Sequence, residues 1–121
     1  MASQSTINVP TWLEELYEQV DAGQLDDYIE SYAEDASLRF GSAPAVHGKD
    51  AVRAAFTVGH AAHDMRHRFV NVWEVGDTTI IEFDTDWIHP DGRVQNFPAV
   101  TVYERKDGLI TNARIFLDPN G

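Results

Sequence analysis

The sequence predicts an α+β domain, a curved antiparallel sheet packed on three N-terminal helices, and two observations carry that expectation. Apolar residues recur at helical spacing through the first half of the chain and at a spacing of two from Met65 onward. Three turn signatures, Gly76-Asp77, Pro90-Asp91-Gly92 and Lys106-Asp107-Gly108, then cut the second half into hairpin-connected strands.

Pro10 suits the first turn of a helix, and Trp12, Leu13, Leu16, Tyr17 and Val20 share one face until Gly23, a natural C-terminal stop. Leu25, Tyr28, Ile29 and Tyr32 mark a second short amphipathic helix ending near Asp35, followed by a brief extended stretch from Ala36 to Phe40. A loop of small residues runs from Gly41 to Gly48. The third helix begins at Lys49 and Asp50, buries Val52, Ala55 and Phe56, and frays between Gly59 and Asp64. Strands are expected over Arg66 to Val75, Thr78 to His89, Val94 to Arg105 and Leu109 to Leu117. The 121 residues suit one domain, with residues 1–8 as a flexible N-terminus.

Composition excludes several functions. Nine Lys and Arg against 20 Asp and Glu leave a formal charge of -11, which repels phosphate backbones and anionic bilayers, so neither nucleic acid nor membrane is an expected partner. No apolar run approaches the ~18 residues of a membrane span. The N-terminus shows no basic segment followed by an apolar one, so a soluble, cytoplasmic protein is expected. Without cysteine there is neither a disulfide framework nor a thiol nucleophile. Phosphate-binding glycine loops and nucleophile elbows are absent, and no cofactor is expected. His60, His63 and His67 have a spacing that suggests a metal, but the run crosses a helix end, and no metal site is expected.

The candidate site follows from strand register. A two-residue turn at Gly76-Asp77 sets His67 opposite Asp86, Phe69 opposite Asp84, Asn71 opposite Glu82 and Trp73 opposite Ile80, all on one face. Continuing through the later turns adds Phe97, Ala99 and Thr101, then Ala113, Ile115 and Leu117. A face apolar at its edges and acidic at its centre reads as a ligand cavity, although strand carboxylates in so acidic a chain also fit a solvated surface. Crowded carboxylates repel, so at least one is expected to keep its proton to a higher pH than a free side chain. On this reading Asp84 is the main acid or base, His67 its partner, and Asp86 and Glu82 the neighbours that tune them. Tyr17 is a donor, and Phe40, Phe69, Asn71, Trp73, Phe97 and Ile115 contact the substrate.

Four stretches carry a family resemblance: Asp21-Ala22-Gly23-Gln24-Leu25-Asp26, Tyr32-Ala33-Glu34-Asp35-Ala36, His47-Gly48-Lys49-Asp50-Ala51-Val52, and Lys106 to Thr111 running on to Phe116-Leu117-Asp118. With them the chain resembles the SnoaL-like polyketide cyclases of the nuclear transport factor 2-like superfamily, relatives of ketosteroid isomerases, scytalone dehydratase and limonene epoxide hydrolase. The resemblance implies a cone-shaped α+β fold, dimeric through the convex sheet face, with one small-molecule pocket. The epoxide hydrolase site would fall on Leu38, Phe40, Glu82, Asp84 and Ile115, which keeps only the acid at Asp84. The ketosteroid isomerase base would fall near Phe40, and its oxyanion-hole acid near Ala99 or Val100. Arg66-His67-Arg68-Phe69-Val70-Asn71 looks like the histidine context of the dehydratase branch. The expected function is cofactor-independent acid/base catalysis on a small, largely apolar molecule: isomerisation, dehydration, cyclisation or epoxide opening. The alternative is a non-catalytic binding protein or dimeric module using the same cavity.

Overall fold

The structure, a computed structural model, describes residues 7–118, so residues 1–6 of the expected flexible N-terminus lie outside the described residues. Helix α1, Thr11–Asp21, starts directly after Pro10 and buries Leu13, Leu16 and Tyr17. Gly23, at φ 71°, turns the chain in the left-handed region that glycine enters without steric cost. Helix α2, Leu25–Tyr28, is one turn long and passes through a 3-10 turn, Ile29–Ser31, into strand β1, Tyr32–Phe40.

The second helix therefore ends earlier than Asp35. Pairing with the last strand overrides the local helical pattern, because Tyr32, Ala36 and Leu38 reach the core from an extended chain and are at most 2% exposed. Strand β2, Val46–His47, is a two-residue pair with β1 inside the expected loop. Helix α3 is Lys49–Ala62, and strands β3 (Asp64–Val75), β4 (Thr78–Ile88), β5 (Val94–Lys106) and β6 (Leu109–Leu117) form the expected meander.

The six strands make one curved sheet in the order β2-β1-β6-β5-β4-β3. Its pairs are antiparallel except β1 with β6, which run parallel, so the sheet is mixed. The inner face carries Ile81 and Phe83 of β4, Phe97 and Tyr103 of β5, and Ile110 and Ala113 of β6, each 3% exposed or less. These pack against Leu13 and Leu16 of α1, Tyr28 of α2 and Val52 of α3. Among the described residues, no helix is long and apolar enough to cross a membrane.

Two register details decide which side chains face inward. A bulge between Phe69 and Asn71 interrupts the β3–β4 ladder, so His67 pairs with Thr85 and Phe69 with Phe83, while Asn71 pairs with Glu82 and Trp73 with Ile80. The β4–β5 connection is also longer than a two-residue turn: the His89 N–H donates to the Arg93 carbonyl at 2.9 Å, and Thr85 pairs with Phe97. Both details shift β4 by one residue relative to its neighbours.

Candidate functional site

Because a one-residue slip turns a strand over, β4 presents Thr79, Ile81, Phe83, Thr85 and Trp87 to the interior and Glu82, Asp84 and Asp86 to the outer face. The expected acidic centre is therefore corrected: Asp84, Asp86, Glu82, Asn71 and Trp73 do not reach the cavity. Arg68 donates through Nε to Asp84 at 2.9 Å and through both terminal nitrogens to Asp86 at 3.0 and 3.1 Å, and Asn96 donates to both carboxylates at 2.9 and 2.8 Å. Those Arg68 and Asn96 hydrogen bonds hold both carboxyls below the usual aspartate range, the reverse of the rise expected from crowding. Asn71 donates to Glu82 at 2.8 Å, and Trp73 stands 48% exposed.

The sign of that depression sets a pH window. Unfolded aspartates titrate near 3.9, so the cluster stabilises the fold above about that pH and loses its contribution as pH falls through the lower folded values. Arg68→Met should therefore unfold at lower urea than the parent at neutral pH, and the gap should close towards about pH 2. A gap that persists at acid pH would mean that Arg68 stabilises by packing alone.

The inner face, together with α1, α2 and α3, forms a partly open cavity of about 390 Å³, within the size range of small-molecule sites. Its walls include Phe56, Met65, Phe83 and Trp87 together with three of the residues expected to contact substrate, Phe40, Phe97 and Ile115. Phe69 sits one layer back, edge-on to Tyr17 with ring centroids 5.7 Å apart. Among the described residues no Asp, Glu, Lys or Arg lines the cavity; its polar lining residues are Tyr17, Tyr28, Tyr32, Tyr103, Thr85, Thr101, His63 and His67.

His67 is held by two hydrogen bonds to one carboxylate. Its backbone N–H donates to Asp21 Oδ2 at 2.9 Å, and its Nδ1 lies 2.6 Å from Asp21 Oδ1. An ionised carboxylate only accepts, so the ring proton belongs on Nδ1, and Nε2 is left as the nitrogen open to a ligand. Tyr17 lies edge-on to the imidazole, centroids 4.9 Å apart, and its hydroxyl meets that of Tyr103 at 2.6 Å. Burial pushes both phenols well above the ordinary tyrosine range, so they stay neutral and able to donate. The His67 imidazole and the paired Tyr17 and Tyr103 hydroxyl residues thus line the same largely apolar cavity.

A family model of the SnoaL-like domain matches residues 13–113. The chain belongs to the SnoaL-like domain family. Three solved structures show how far the fold extends. A candidate polyketide cyclase from Xanthomonas campestris pv. campestris superposes with a TM-score of 0.80 at 19% identity, over 87% of this chain and 86% of that one. An LEH-like epoxide hydrolase from M. tuberculosis gives 0.76 at 15% identity over 87% and 78%. A protein of ketosteroid isomerase-like fold from Catenulispora acidiphila, in complex with trimethylamine, gives 0.79 at 12% over 89% and 85%. No curated protein matches the sequence.

In this SnoaL-like domain the residue that sequence reasoning missed is Asp21, seen only as part of a family motif. A signal was present: Asp21 closes α1, and a carboxylate in the last turn opposes the helix dipole unless a tertiary partner holds it. Tyr103 and Thr85 were also missed as site residues, the latter because β4 was turned over. The three spaced histidines separate, His60 meeting the Tyr28 hydroxyl at 2.5 Å, His63 stacking on Trp87 and His67 meeting Asp21.

Proposed function

We propose that this SnoaL-like domain is a cofactor-independent acid/base enzyme that moves a proton on a small, uncharged, largely apolar molecule. The observation that carries this reading is the Asp21-held imidazole of His67 on the wall of a cavity that no charged side chain lines among the described residues. His67 Nε2 takes the proton from a C–H or O–H of the substrate, and Asp21 stabilises the imidazolium that forms. Tyr17 or Tyr103 donates to the substrate oxygen that gains charge, and low local dielectric strengthens that bond. Return of the proton to a different atom gives an isomerisation, and its delivery to a departing hydroxyl gives a dehydration. Attack of the carbanion on a second carbonyl gives a cyclisation.

Proton abstraction can be read without the native substrate. Cyclohexanone and 1-tetralone incubated with the full chain in D2O should gain deuterium beside the carbonyl faster than in buffer, by NMR. Binding of these ketones with exchange no faster than buffer would favour the second reading, a non-catalytic binding protein, which the solvent-facing positions of Asp84, Asp86 and Glu82 support. As part of the same proposal the chain is cytoplasmic and pairs as a homodimer through the outer sheet face, where Trp73 and Phe116 are 48% and 47% exposed. Sedimentation equilibrium should show a dimer that Trp73→Glu dissociates; a monomer in the parent would contradict it.

A further inference from the structure

Two groups of aromatic rings line the cavity, and among the described residues no ring contact joins them. One gathers on His67, with the Tyr17 and Phe83 rings centred 4.9 and 5.1 Å from the imidazole. The other gathers on Phe56 of α3, whose ring meets Tyr28, Tyr32 and Phe40 edge-on at 5.3, 5.7 and 6.3 Å. All seven residues line the same cavity.

The two groups stand at opposite sides of the sheet. His67 belongs to β3 and Tyr32 and Phe40 to β1, and the strand order puts four spacings between these strands, about 19 Å along the sheet. The strands between them contribute Phe83 and Trp87, Phe97 and Ile115 to the wall. A ligand whose reacting atom meets His67 therefore extends its far end across the strands towards Phe56. An apolar cavity of about 150 Å³ takes one benzene ring, so the volume of about 390 Å³ gives room for about two fused rings.

Resting on the reading of this cavity as the ligand site, we infer that Phe56 is the residue that sets ligand length: its ring is the wall that stops a molecule anchored at His67 after about two fused rings. The ring has firm backing. Tyr28 and Tyr32 behind it are core side chains, 1% and 2% exposed, in a close-packed interior that yields little to a longer ligand. The Tyr28 hydroxyl also meets His60, one turn further along α3, at 2.5 Å, which ties this part of the helix to α2. Phe56 itself is only partly buried, whereas α3 sinks Val52 into the core, so the ring can be exchanged without removing a core side chain. It sets specificity and leaves the proton transfer to His67.

The test uses 1-naphthol and 9-phenanthrol, rigid probes of two and three rings with one hydroxyl each, bound to the full chain by fluorescence titration, with melting temperature recorded for each variant. A small misfit in an apolar pocket is worth about 10-fold or more in affinity, so the parent should prefer 1-naphthol by at least that factor although 9-phenanthrol is the more hydrophobic. Phe56→Ala should reverse the order, and Phe56→Leu should fall between. Phe56→Trp, which adds bulk at the same place, should weaken 1-naphthol as well. If the alanine variant does not fold, the leucine and tryptophan variants make the same comparison. A parent that binds 9-phenanthrol as tightly as 1-naphthol, or a preference that these substitutions leave unchanged, would overturn the inference and leave the proton-transfer reading intact. Failure of both probes to bind the parent would overturn the inference and the cavity reading together, whereas ketone exchange bears on the proton-transfer reading alone.

Discussion

His67→Gln is expected to slow deuterium exchange into a bound ketone by about 10²–10⁴-fold, the usual worth of one positioned proton-transfer group, with little change in melting temperature. Glutamine can still donate to Asp21 but has no nitrogen able to accept a proton. Asp21→Asn is expected to come close to the same loss by another route. Both oxygens of Asp21 accept from His67, one from the backbone N–H and one at Nδ1. Asparagine has one acceptor and one donor, so if its oxygen keeps the backbone N–H, its amide N–H faces Nδ1 and forces the ring proton onto Nε2. The base is then in the wrong tautomer. On the proposed reading Asp21 is a positioning residue, and the readout that separates this from a structural role is the tautomer itself. Exchange kinetics of the two variants check the rates, and full activity in His67→Gln would end the assignment.

Phe83→Ala is expected to destabilise the domain by about 3–5 kcal/mol, the range for deleting a buried aromatic ring. Phe83 is 1% exposed and touches Tyr17, His67 and Phe69, with ring centroids 4.7, 5.1 and 5.4 Å away. Its loss would leave the base and the donor without a common support. Against a total stability of about 5–15 kcal/mol that is a large fraction, and the urea midpoint should fall accordingly. Phe83→Leu, which keeps much of the volume, should lose less than half as much. A loss below about 1 kcal/mol for the alanine variant would mean that the site collapses around the gap, and that the ring supports the dyad less than its contacts indicate.

Most of the fold was legible because its signals are local. Pro10, Gly23 and the glycine turns bound α1 and the hairpins, and the last strand, Leu109–Leu117, has the expected limits. The second helix was misjudged because Leu25, Ile29 and Tyr32 satisfy a helical period, whereas only the parallel pairing of β1 with β6 decides that Tyr32 is extended.

The site was half legible, for a reason that lies in two slips of one residue. The bulge beside Val70 and the longer loop at His89 each shift register by one residue, and together they move β5 by two residues relative to β3, which leaves its inward face unchanged. His67 therefore shares the inner face with Phe97, Ala99 and Thr101, as the register predicts, while β4 between them is turned over. Phe69-Val70 and Val72-Trp73 put apolar residues side by side, so alternation alone could not locate the bulge. Turning β4 over replaced the acidic centre with Phe83, Thr85 and Trp87. It also left Asp21, distant in sequence, as the only carboxylate in contact with His67 among the described residues.

The most direct test of this account is the tautomer of His67, read from the ring nitrogens of the full chain labelled with ¹⁵N-histidine at neutral pH. The Asp21 bonding predicts a protonated Nδ1 and a bare Nε2 for His67, reversed or averaged in Asp21→Asn. A His67 ring protonated at Nε2 in the parent, or one unchanged by Asp21→Asn, would contradict the dyad and with it the proton-transfer reading of the cavity.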